Sequence, residues 1–65
     1  MEDWQQRVVD EKAELDEKLS KLQEFIEFSP SFSTLETRDA RLLMQQEYIM
    51  RNYSDILAKR IERFS

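Results

Sequence analysis

Apolar residues recur along the second half of the chain at helical spacing. Leu43, Met50, Leu57 and Phe64 stand seven apart, and Leu42, Ile49 and Ile56 run one step before them. Tyr53 and Ile61 fill the same side. Without Pro or Gly between Leu35 and Phe64, the pattern predicts one long amphipathic helix with a wide core-facing stripe. Such a helix gains most of its stability by burying that stripe on something else. The first half carries a thinner pattern: Trp4, Val8, Leu15, Leu19, Leu22, Phe25 and Ile26, with Glu11 and Lys18 at two expected inward sites. Asp3 is the expected cap of this first helix, and Glu14–Lys18 and Glu17–Lys21 stand four apart on its exposed side.

The only break is Phe28-Ser29-Pro30-Ser31-Phe32-Ser33-Thr34. Pro30 pushes Ser29 out of the helical region and ends the first helix. Ser29 followed by Pro30 also suits the cap and first position of a short turn. Ser33 with Glu36 reads as a capping box for the restart, with Thr34 and Thr37 as rival caps. Phe28, Phe32 and Leu35 are expected to plug the bend. The reading is an all-α antiparallel two-helix hairpin, one domain over residues 1–65, with a helix at about 3–27, a turn at 28–35 and a helix at about 36–64. A bend centred near residue 32 sets Leu15 against Ile49, Val8 against Ile56, Glu11 by Tyr53, Lys18 by Gln46 and Trp4 by Arg60. The inward polar groups, Glu11, Lys18, Gln46 and Arg60, either fix register or line a polar cavity.

Length changes the picture. A chain of 65 residues lies near the lower limit for an independent core. It has no Cys and no His, so disulfides are excluded and only carboxylates remain for a metal; no metal-loop spacing and no cofactor motif is present. Self-association into a helical bundle is the expected remedy. The net charge of -4 is unevenly divided. Residues 1–30 carry nine acids and four bases, residues 31–65 five acids and six bases, a weak attraction between antiparallel halves. No apolar run is long enough to span a bilayer, and the acidic start lacks a signal-peptide core, so cytoplasm is the expected compartment and no membrane partner is expected.

Catalysis finds no support in the residue types. There is no histidine for proton transfer and no thiol nucleophile, and carboxylate pairs such as Asp10 and Glu14 fall on a solvated helix side where nothing raises a pKa. The acidic balance and the lack of a continuous basic face exclude duplex nucleic acid. Two kinds of binding surface remain. Met44 and Tyr48 point away from the main stripe beside Arg51 and Asn52; with Val9 they form a candidate protein interface. Arg38 and Arg41 near the start of the second helix, and Arg60 and Arg63 near its end, are candidate anion or nucleotide ligands, with Tyr48, Phe32 or Trp4 available to stack on a base.

Residues 5–26 (QQRVVDEKAELDEKLSKLQEFI), SPSF at 29–32, Leu35, RLLMQQ at 41–46, Met50, Tyr53, Ile56-Leu57 and RIERF at 60–64 together resemble a family of small helical-hairpin proteins encoded by phages and prophages. The likeness spans nearly the whole chain, and no catalytic residue follows from it. It implies a setting in which small accessory proteins bind and interfere with a host factor, antiviral defence included. Some of them instead sequester nucleotide messengers, typically as compact oligomers with pockets shared between subunits. The expected function is therefore non-catalytic interference with a host protein; the alternatives are an oligomeric nucleotide sponge and a structural or regulatory phage component.

Overall fold

The computed structural model describes all 65 residues and contains two α-helices joined by a tight turn. Helix α1 runs Asp3–Phe28 and is capped by Glu2, whose backbone N–H donates to the Gln5 side chain at 2.8 Å. Asp3 sits inside the first turn rather than at the cap; there its charge still faces the positive end of the helix. Ser29 adopts an extended backbone ahead of Pro30, as a pre-proline residue must. Its hydroxyl accepts the Ser31 N–H, and Pro30 opens a 3-10 turn, Pro30–Thr34. Helix α2, Thr37–Phe64, then returns antiparallel, giving a rod of 46 × 15 × 14 Å. The all-α hairpin expected from the pattern is the fold observed.

The restart of the chain differs from expectation. Glu36 is the cap of α2, without a side-chain bond. The Ser33 and Thr34 hydroxyls are spent inside the turn, donating to the Pro30 and Ser31 carbonyls at 2.7 Å each. The Ser33–Glu36 capping box does not form, because i to i+3 bonding of the 3-10 turn takes both hydroxyls first.

The register differs as well. Asp16 meets Ser54 and Gln23 meets Glu47, one heptad along α1 matched by one heptad back along α2. Trp4 packs edge-on against Phe64, ring centroids 5.3 Å apart, rather than over Arg60. Relative to the expected pairing, α2 has slid by about one and a half turns, and its first turns project beyond the end of α1. The physical reason is the turn. The 3-10 segment carries the chain onward before it reverses, and Phe32 caps the end of α1 by packing edge-on against Phe25 at 6.1 Å. Phe28, expected in the plug, is left exposed.

The core is thin. Val8, Leu19 and Leu57 are its buried apolar residues, with Leu57 only 1% exposed, and Ser54 is the one buried polar side chain. Leu43, Met50, Ile61 and Phe64 are half-buried on the same side of α2. Leu42, Ile49, Tyr53 and Ile56, expected to face α1, remain exposed. Glu11, Lys18, Gln46 and Arg60 are exposed too, so within a single chain none of them lines a cavity. A lone partner helix covers one stripe of α2, and the slide selects the Leu43–Met50–Leu57 stripe over the adjoining one.

Candidate functional site

The polar edge of the seam is organised by interhelical hydrogen bonds. Near the middle, Asp16 accepts from the Lys12 ammonium at 2.6 Å and from the Ser54 hydroxyl on α2. The Lys12 bond, then the Ser54 bond, hold the Asp16 carboxyl below its ordinary value of 3.8, against a smaller upward push from desolvation. Ser54 is buried because its hydroxyl has this acceptor; an unpaired hydroxyl there would be costly.

Toward the bend, the seam opens into a groove of about 690 Å³ between the helices. Its apolar wall is Ile26 of α1 with Met44 and Tyr48 of α2; Gln23, Glu27, Glu47 and Arg51 supply the polar groups. The Gln23 amide donates to Glu47 at 2.9 Å. Arg51 reaches both oxygens of the same carboxylate, Nε at 3.2 Å and Nη2 at 3.4 Å, and its guanidinium stands 5.5 Å from the centre of the Tyr48 ring. Glu47 and Arg51 are four apart on one helix, so the backbone itself brings them together. The Glu47 side chain is 18% exposed while that of Arg51 is 55% exposed. The acid is thus fixed in the wall and the cation lies at the rim, over an aromatic face.

This arrangement suits recognition. Met44, Tyr48 and Ile26 offer an apolar surface, the carboxylates and amide present hydrogen-bonding groups at its edge, and Arg51 adds a cation.

Of the residues singled out in the sequence, the structure gathers Met44, Tyr48 and Arg51 into this groove. Asn52 is exposed outside its lining, and Val9, half-buried on α1, lies about 20 Å along the helix from Gln23. Arg38, Arg41, Arg60 and Arg63 are all exposed and take part in none of the three ion pairs, Lys12–Asp16, Glu17–Lys21 and Glu47–Arg51. Arg41 precedes Tyr48 by two helical turns, about 10 Å, on the outward side of α2. Arg60 and Arg63 lie toward the opposite end, where Trp4 is engaged with Phe64. Gln23, Glu27 and Glu47 went unrecognised in the sequence, and Ile26 stood there only in the apolar pattern of the first helix. The four-residue spacing of Glu47 and Arg51 was a usable signal; the interhelical partners depend on register and had none.

No helix is long and apolar enough to cross a membrane, and no group of three or more acidic side chains converges as a metal site. The chain matches the Sequestin family over residues 2–63 and belongs to it. No curated protein matches the chain, and no solved structure does.

Proposed function

We propose that this member of the Sequestin family acts by sequestration, binding a molecule and withholding it without chemical change. The observation that carries this reading is the family match across residues 2–63, whose name denotes sequestering. A groove built for binding, in a chain without histidine or cysteine, supports it. The ligand class the groove fits is a small planar molecule with an anionic arm, a nucleotide in chemical terms. Its ring rests on the apolar wall of Tyr48, Met44 and Ile26. The phosphate extends to Arg41, whose guanidinium has no carboxylate partner, whereas Arg51 is already held by Glu47.

Self-association belongs to the same proposal, since a hairpin with three buried apolar residues encloses too little to hold a ligand alone. Sequestration is preferred to interference with a host protein because the family name denotes withholding a molecule.

The test is to purify the protein gently from bacterial lysate, denature it and identify released small molecules by mass spectrometry, then titrate the identified compound by calorimetry. Tyr48→Ala and Arg41→Ala are expected to weaken binding at least tenfold, about 1.4 kcal/mol, with helicity and subunit count unchanged. A stoichiometric host polypeptide in place of a small molecule, or full affinity in both variants, would overturn the reading.

A further inference from the structure

The seam has two edges, and the sequence alternates between them. Each residue that closes the polar edge, Asp16, Gln23, Glu47 and Ser54, is preceded by one rotated about 100° away: Leu15, Leu22, Gln46 and Tyr53. Those point out of the opposite edge. Leu42, Ile49 and Ile56 continue that line on α2 at heptad spacing, and Trp4 continues it on α1. On α2 the exposures are 56% for Leu42, 64% for Ile49, 43% for Tyr53 and 52% for Ile56. Four large apolar side chains in one line, half in water, are not the scatter expected of a monomer's surface.

We propose that this edge, Leu42, Ile49, Tyr53 and Ile56 with Leu15 and Leu22, is the surface on which a second copy of the chain docks. The proposal rests on the assembly argued above and is independent of which ligand the groove takes. Ile49 also borders Met44 and Tyr48, so a second copy on this edge stands beside the groove and adds a wall to it.

Area supports a second copy. The chain exposes 5330 Å², while a compact monomer of its 7.9 kDa mass would expose about 4400 Å². The excess, roughly 900 Å², is close to the ~800 Å² that each partner contributes to a standard interface. Charge supports it also. Two copies each of net charge -4 repel in general, but this edge carries one acid and one base on α1, Glu11 and Lys18, one heptad apart and both exposed. When α1 packs antiparallel on α1 of the second copy about Leu15, each Glu11 meets the other copy's Lys18. The polar positions flanking Leu15 are thus self-complementary under a two-fold axis.

The experiment is native mass spectrometry with sedimentation equilibrium on the intact chain. Wild type is expected as a multiple of the monomer mass, and Ile49→Lys as a monomer. Glu11→Lys is expected to weaken association at least tenfold, and adding Lys18→Glu to restore it. Should Ile49→Lys fail to fold, the charge swap decides alone. Tyr48→Ala, which leaves Leu42, Ile49, Tyr53 and Ile56 themselves intact, should keep the wild-type mass, so losing the ligand with assembly intact separates failure of the ligand reading from failure of this one. A wild type that stays monomeric and fully helical at high micromolar concentration would overturn the proposal. So would a double charge swap no better than Glu11→Lys.

Discussion

Replacing Leu57 with alanine tests the register most directly. Leu57 is 1% exposed, and it is the only large side chain that the hairpin encloses fully. Truncation removes three carbons from a site with no solvent and leaves a cavity between two helices that cannot collapse without losing their other contacts. Leucine-to-alanine changes at such sites cost about 3 kcal/mol. Ile56, the next residue back, is 52% exposed; roughly half of its apolar surface is already wet, so the same truncation in a single hairpin costs about 1 kcal/mol. A domain of this length holds only about 3–10 kcal/mol in total, so the Leu57→Ala variant is expected to be largely unfolded where Ile56→Ala is not. Urea titration followed by far-ultraviolet circular dichroism reads the difference as a midpoint, and for m near 1 kcal/mol/M the separation is about 2 M. The comparison is made at the lowest usable protein concentration, because covering Ile56 by a second copy raises its cost. A Leu57→Ala midpoint within error of wild type, or one lying above that of Ile56→Ala in dilute solution, refutes the placement of α2.

The Asp16 site makes a pH prediction. Its folded pKa is depressed by Lys12 and Ser54, so its contribution to stability is fully present above the unfolded value and disappears as pH falls through the lowered folded value. Urea midpoints measured from neutral pH into acid should therefore fall less steeply below about pH 4 in Asp16→Asn than in wild type; parallel curves would remove Asp16 from the account. Ser54→Ala should raise the Asp16 pKa in a carbon-13 titration and cost about 1 kcal/mol, the net worth of one hydrogen bond; an unmoved Asp16 resonance would contradict the bond. At the bend, Phe32→Ala should destabilise by at least 1 kcal/mol through loss of its edge contact with Phe25. Phe28→Ala, at a residue 74% exposed, should stay within about 0.5 kcal/mol of wild type. Equal thermal shifts for the two would mean that the plug is built differently.

What the sequence by itself determined is the local structure. Seven-residue recurrence from Leu43 to Phe64, the absence of Gly, and Ser29-Pro30 as the sole break leave two helices and one bend as the consistent solution. Even the Ser29 cap of the bend was readable, since a hydroxyl before proline has few other uses. The groove was half legible. Met44 and Tyr48 stood out as apolar residues off the main stripe, whereas Ile26, Gln23 and Glu27 join them only once the helices are aligned.

Alignment was the decision of the tertiary structure. A helical pattern repeats every turn or heptad, so sliding α2 along α1 preserves the match of apolar faces and leaves composition almost nothing to choose by. The choice fell to the 3-10 turn, where the Ser33 and Thr34 hydroxyls bond locally and Phe32 settles on Phe25. The observed offset is not a whole heptad, and with it α2 turns Leu57 inward and Ile56 outward, neighbours of nearly equal hydrophobicity. A stripe two residues wide is broader than one antiparallel helix can cover, so the side chains left over define the second face of the molecule.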